Sequence, residues 1–120
     1  MAKKILIAED ERPMAKALQL KLTKEGFEAV NAYNGDEALE LLDNGKFDLM
    51  LLDIMMPNTD GFAVLEALKK KNISLPIIVT SNLSQEEDIA KAKKLGAKDF
   101  LVKSDVPINK IVEKVNNLLK

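Results

Sequence analysis

Phe47-Asp48-Leu49-Met50-Leu51-Leu52-Asp53-Ile54-Met55-Met56-Pro57 is the stretch on which the reading of this chain turns. A polar Asp48 is followed by four apolar residues, then by Asp53, and Pro57 marks a turn soon after. A continuous apolar run of this length suits a strand covered on both faces. The spacing predicts a strand over Phe47 to Asp53 with the Asp53 carboxylate at its C-terminal tip. In an open α/β sheet, ligands bind beyond the carboxyl ends of the strands. The other residues that reach that edge therefore decide the chemistry.

Composition narrows the possibilities. The 120 residues suit one domain, and 47% of them are hydrophobic. Eighteen basic and 19 acidic residues leave a formal net charge of −1, unlike the basic balance of nucleic-acid-binding domains. There is no Cys and no His, so disulfides, thiolate metal sites and histidine acid-base chemistry are excluded. Chemistry must come from carboxylates, hydroxyls, Lys, the single Arg12 and the backbone. The N-terminal apolar run is too short for a signal peptide or a membrane span. A soluble cytoplasmic protein is expected, with no membrane contact.

Working outward from the central strand, the apolar pattern alternates between strand and helix. Lys4-Ile5-Leu6-Ile7-Ala8 reads as a buried strand tipped by Glu9-Asp10-Glu11. From Pro13 the period becomes helical, with Met14, Ala17, Leu18, Leu20 and Leu22 on the apolar face and Gly26 as the stop. Phe27 to Tyr33 is a weaker strand, Asn34-Gly35 a turn, and Asp36 to Asn44 a short helix. Beyond the central strand, Asn58-Thr59-Asp60-Gly61 leads into a helix that ends on Lys69-Lys70-Lys71, a solvated end favoured by the helix dipole. Leu75 to Ser81 is a fourth strand, and Ser84 with Glu87 fits a capping box for the next helix. Asp99 to Lys103 is a fifth strand. Pro107 opens a last helix with Ile108, Ile111, Val112, Val115, Leu118 and Leu119 facing inward. Five strands alternate with five helices through short connections, which predicts a parallel sheet with helices on both faces.

In a parallel sheet the strand tips share one rim. They supply Glu9 and Asp10, Asp53, Thr80 and Ser81, and Lys103. Clustered carboxylates raise one another's proton affinity unless a cation is present. Oxygen ligands without His or Cys suit magnesium, with manganese as a substitute. A cation beside Lys103 would neutralise an incoming phosphoryl group, Asp53 could act as a carboxylate nucleophile, and the Thr80 hydroxyl could donate to phosphoryl oxygens. Each residue also has a plainer reading. Asp53 could be a solvated strand-end acid, Glu9-Asp10-Glu11 a helix start, Thr80 a strand-edge hydroxyl, Phe100 a core aromatic, and Met55 and Met56 packing at the lip of the site.

Four pieces in order carry a resemblance: Ile5-Leu6-Ile7-Ala8-Glu9-Asp10-Glu11; Asp48 to Pro57 with Asp60-Gly61; Pro76-Ile77-Ile78-Val79-Thr80-Ser81; and Gly96-Ala97-Lys98-Asp99-Phe100-Leu101-Val102-Lys103. With them the chain resembles the receiver domain of two-component response regulators, of the chemotaxis-receiver kind, over residues 1–120 and with no effector domain. The resemblance implies a flavodoxin-like fold with strand order 2-1-3-4-5. It implies Asp53 as phosphoacceptor, magnesium held by Asp10 and Asp53 with Glu9 through water and the Met55 backbone carbonyl, Lys103 paired with the phosphoryl group, and Thr80 and Phe100 as switch residues. A sensor histidine kinase or His-phosphotransfer protein would be the donor. An output partner would read the surface of the fourth helix, fifth strand and fifth helix, and the domain would be a monomer or weak dimer. It would catalyse its own phosphorylation and dephosphorylation rather than turn over an external substrate.

The chain departs from the family pattern at three places. Ser104 follows Lys103 where the family usually has Pro, often in a cis bond. Glu9 stands where Asp is commoner. The last helix carries Lys114 and Asn117 and no Arg, unlike many winged-helix regulators. The alternative reading is a receiver-fold interaction module that signals by binding, without phosphorylation. A flavin site is disfavoured because Glu9-Asp10-Glu11 would repel a phosphate where a phosphate loop is needed.

Overall fold

The computed structural model describes residues 2–120. Ten elements alternate along the chain: β1 (Lys4–Ala8), α1 (Arg12–Lys24), β2 (Glu28–Ala32), α2 (Gly35–Asn44), β3 (Leu49–Leu52), α3 (Gly61–Lys70), β4 (Ile77–Ser81), α4 (Glu86–Lys94), β5 (Asp99–Val102) and α5 (Ile108–Leu119). Every strand pairing is parallel, and the order is β2-β1-β3-β4-β5. The expected flavodoxin-like architecture is the one observed. No helix among the described residues is long and apolar enough to cross a membrane.

Two cores flank the sheet, and strand alternation assigns residues to each. Leu6, Ala8, Met50, Leu52, Ile77 and Val79 pack with residues of α2, α3 and α4. Ile5, Ile7, Leu49, Leu51 and Ile78 pack with Leu18 and Leu22 of α1 and Ile111, Val112 and Val115 of α5. β3 lies at the centre of both, and its four side chains are buried. Burying each one is worth about 1.5–3 kcal/mol relative to leaving it exposed. A one-residue slip of β3 would exchange its two faces and carry Asp53 with it, so packing on both sides fixes where that carboxylate stands.

The sheet's hydrogen-bond ladder runs one residue past the strands and fixes the tips. Ala8 pairs with Ala32 on one side and with Leu52 on the other. The Glu9 N–H then donates to Ala32 O at 3.0 Å, and the Asp53 N–H donates to Ala8 O at 2.9 Å. On the far side, Ser81 pairs with Val102, and the Lys103 N–H donates to Ser81 O at 2.9 Å. The backbones of the three charged tips are thus held by the sheet.

Several details differ from the sequence reading, each for a local reason. β3 is shorter than expected at its start because Asp48 turns its carboxylate onto the Lys4 N–H at 2.7 Å, closing the strand entry. The buried stripe of α1 is Ala15, Leu18 and Leu22, spaced by three and four residues. Leu20 lies off that stripe and is exposed. Leu118 of α5 is likewise exposed, while Leu119 packs against the core. The capping box at Ser84 does not form: α4 begins one residue later on Gln85, without a side-chain cap. Its first turn carries Glu86, Glu87 and Asp88 and its last carries Lys91, Lys93 and Lys94, both favourable to the dipole. In α2 and α3 side chains do cap, Asn34 accepting from the Glu37 N–H and Asp60 from the Ala63 N–H. Lys71, grouped above with the solvated helix end, pairs with Asp43 at 2.8 Å at the exposed surface.

Gly61 ties α3 to the tip of β3. Its N–H donates to Ile54 O at 2.8 Å. A Cβ at this position would lie 2.6 Å from Asp53 O and 2.7 Å from Ile54 Cα, both backbone atoms. Gly61→Ala should therefore lower stability by about 1–3 kcal/mol through overpacking, against the small gain Ala brings to a helix. Urea unfolding measures this, and a midpoint equal to or above that of the wild type would contradict the close approach.

Candidate functional site

The strand tips meet in an open cleft of about 260 Å³ lined by Asp10, Glu11, Asp53, Met55, Asn82 and Lys103. Asp53 at its floor and Glu9 beside it are almost fully buried, 3% and 1% exposed. The Lys103 side chain, 7% exposed, crosses from the β5 side to reach them. Its Nζ donates to Glu9 Oε1 at 2.7 Å, to Glu11 Oε1 at 3.0 Å and to Asp53 Oδ2 at 3.2 Å. An ammonium has three N–H donors, and all three are engaged. The other Asp53 oxygen, Oδ1, accepts the Met55 N–H at 3.2 Å, and Glu9 Oε2 accepts the Glu11 N–H at 3.1 Å.

Ser104 does not keep Lys103 from Asp53. No peptide bond among the described residues is cis. The Ser104 N–H donates to Asn82 Oδ1 at 3.0 Å, a bond that proline could not make.

Electrostatics reflect the burial. Loss of solvent raises the Glu9 pKa to about 7; the Asp53 charge adds to the rise, and hydrogen bonds from Lys103 and the Glu11 backbone offset part of it. Burial likewise raises Asp53, against the opposing pull of Lys103. For Lys103, burial disfavours the charged form, but hydrogen bonds to Glu9 and Glu11 and the charge of Asp53 outweigh it, so its pKa is raised. Three carboxylates (Glu9, Glu11 and Asp53) contact this one ammonium, and Asp10 lines the same cleft. Carboxylate oxygens of Glu9, Asp10 and Asp53 lie within 4.8 Å of one another. A hard divalent cation fits this donor set, which is all oxygen and has more negative than positive charge.

Of the residues singled out in the sequence, Glu9, Asp10, Asp53, Met55 and Lys103 converge here. Met55 is exposed at the lip, whereas Met56 is buried in the core. Thr80 is buried at the end of β4, opposite Leu101, and Phe100 is opposite Val79. Phe100 packs against the α2–α4 core, and neither residue lines the cleft. Glu11 was not singled out as a partner of Lys103. The signal was its spacing of two residues from Glu9 in a run of acids, but only the path of the Lys103 side chain reveals the contact.

The raised Glu9 pKa has a pH consequence for the cation-free protein. The folded state binds this proton more tightly than the unfolded chain, whose value is near 4.5. The resulting stabilisation is complete below about pH 4.5 and is lost as pH rises through about 7. In chelator, the stability of wild type relative to Glu9→Gln should fall across that window. Thermal unfolding of both proteins over the pH series checks it, and a difference that is constant or grows with pH would contradict the burial of an ionisable Glu9.

Comparison with known proteins agrees with this geometry. The family described as the response regulator receiver domain matches residues 5–116. The receiver domain of Francisella response regulator 1452 is 34% identical, with a TM-score of 0.91 over 97% of this chain and 95% of its own. Response regulator TrrA of Thermotoga maritima, solved in complex with Mg(2+)-BeF, is 34% identical, with a TM-score of 0.85 over 98% of this chain and 99% of its own. The signal receiver domain of a signal transduction histidine kinase from Syntrophus aciditrophicus is 32% identical, with a TM-score of 0.87 over 98% and 90%. With the family matched across nearly its whole length and the acidic cleft at its strand tips, this chain belongs to the response regulator receiver domains of two-component signalling.

Proposed function

We propose that Asp53 is the phosphoacceptor of a two-component relay. The observation that carries this reading is the buried Asp53 carboxylate at the floor of an acidic cleft, with the Lys103 ammonium 3.2 Å from Oδ2. A sensor histidine kinase or His-phosphotransfer protein supplies the group, since this chain has no His. One Asp53 oxygen bonds to phosphorus as the P–N bond of the phosphohistidine breaks, and the departing imidazole takes a proton from water. Burial keeps the nucleophile desolvated, and the sheet holds it still, so positioning and charge do most of the work.

Asp10 and Asp53 would hold magnesium or manganese directly, with Glu9 contributing through water and Met55 through its carbonyl. When bound, the cation supplies charge neutralisation for the phosphoryl oxygens. Lys103 exchanges its contact with Asp53 for a phosphoryl oxygen while Glu9 retains it. Thr80, next along from the β3–β4 pair Leu52 and Val79, donates its hydroxyl to the new group. Phe100, opposite Val79 on β5, then repacks toward the space Thr80 leaves. The outcome is a shift in population that alters the α4–β5–α5 surface read by an output partner.

Incubation with magnesium and a small phosphodonor should add a single phosphate, detected by intact mass. The Asp53→Asn protein should add none, and chelator should suppress the addition in wild type. Equal labelling of Asp53→Asn would remove Asp53 from the role. A wild type that takes no phosphate would favour a module that signals by binding alone.

A further inference from the structure

The Ser104–Asn82 hydrogen bond joins the loop after β5 to the loop after β4, and it ends in the cleft. A backbone N–H can only donate, so the Asn82 side-chain oxygen must face Ser104, as the 3.0 Å contact to Oδ1 records. The Asn82 Nδ2 group therefore points away from Ser104. Asn82 is itself exposed and lines the cleft with Asp53, Met55 and Lys103. The Ser104 N–H is held in place from both sides, by the Lys103 N–H on Ser81 O at 2.9 Å and the Asp105 N–H on Val102 O at 3.0 Å. The tether exists only because residue 104 is not proline.

We propose that Ser104 is a positioning residue that acts through its backbone N–H. It holds Asn82 so that Nδ2 donates to the phosphoryl group on Asp53 and slows its hydrolysis. The inference rests on the reading of Asp53 as phosphoacceptor. In hydrolysis a water oxygen bonds to phosphorus, the bond from phosphorus to the Asp53 oxygen breaks, and inorganic phosphate leaves with the carboxylate restored. The attacking water needs an acceptor for its proton. The tether turns the one acceptor atom of the Asn82 side chain away from the cleft and presents donors to the phosphoryl oxygens, which cover the approach.

The test follows decay of phospho-Asp53 by intact mass after the phosphodonor is removed, in wild type, Ser104→Ala, Ser104→Pro, Asn82→Ala and the Asn82→Ala/Ser104→Pro double variant. Ser104→Ala keeps the backbone N–H and should decay like wild type. Ser104→Pro and Asn82→Ala should each decay roughly three- to tenfold faster, the range one hydrogen bond spans. The double variant should match Asn82→Ala, because Ser104 acts only through Asn82. Equal decay in all five proteins would overturn the proposal while leaving Asp53 as acceptor. So would acceleration by Ser104→Pro that persists in the Asn82→Ala background. If Ser104→Pro does not fold, unaltered decay of Asn82→Ala is sufficient to overturn it. If wild type and Ser104→Ala take no phosphate, the acceptor reading fails and this inference fails with it.

Discussion

Lys103 Nζ, with three carboxylates within 3.2 Å, is the contact on which the rim of this sheet depends. It joins the tip of β5 to those of β1 and β3, which are separated from it by β4. Taking an ammonium and two carboxylates out of water is costly, and their mutual attraction offsets that cost only when the groups are held close. The backbone ladder holds them, anchoring Glu9, Asp53 and Lys103 each by its own N–H. The two apolar cores keep the ladder in register. The charge balance at this rim is nonetheless incomplete, because one ammonium contacts three carboxylates and Asp10 adds a fourth to the same cleft. Burial raises the Glu9 and Asp53 pKa values, with the Asp53 charge adding to the rise at Glu9, and a hard cation would offset the carboxylate charge there.

Much of this was legible in the chain because strand and helix patterns alternate so regularly. A run such as Leu49 to Leu52, apolar without a break, has little choice but to lie between two layers. Once the strands are parallel, the residues that end them share an edge, so Glu9, Asp53 and Lys103 could be grouped before any distance was known. Helix faces were less legible. Leu20 lies off the stripe of residues three and four apart that buries Ala15, Leu18 and Leu22, whereas Leu118 follows Val115 by three and is still exposed in the last turn of α5; hydrophobicity alone does not separate either from Leu18 and Val115. The capping signal at Ser84 did not hold either: α4 takes Gln85 as its N-cap, without a side-chain hydrogen bond, and buries only Ala92 among its residues.

At the site, what escaped the sequence was side-chain reach and loop backbone. Glu11 stands one residue before α1, where an acid has an ordinary role near the dipole, and its contact with Lys103 depends on where that side chain ends. The Ser104 N–H becomes visible only when the loops after β4 and β5 are seen to touch. The missing proline there is a departure from the family pattern in sequence, and in structure it provides a hydrogen-bond donor beside the cleft.

The central claim is that occupancy at Asp53 is transmitted through Thr80 and Phe100 to the α4–β5–α5 face. Beryllium fluoride with magnesium offers a non-hydrolysing occupant shaped like a phosphoryl group. Amide NMR spectra recorded before and after its addition read the transmission most directly. The account predicts changes at Asp53, Thr80 and Lys103 that extend through Phe100 to residues of α4 and α5, and no such changes in Asp53→Asn. Shifts confined to the immediate neighbours of Asp53, or the same shifts in Asp53→Asn, would contradict it.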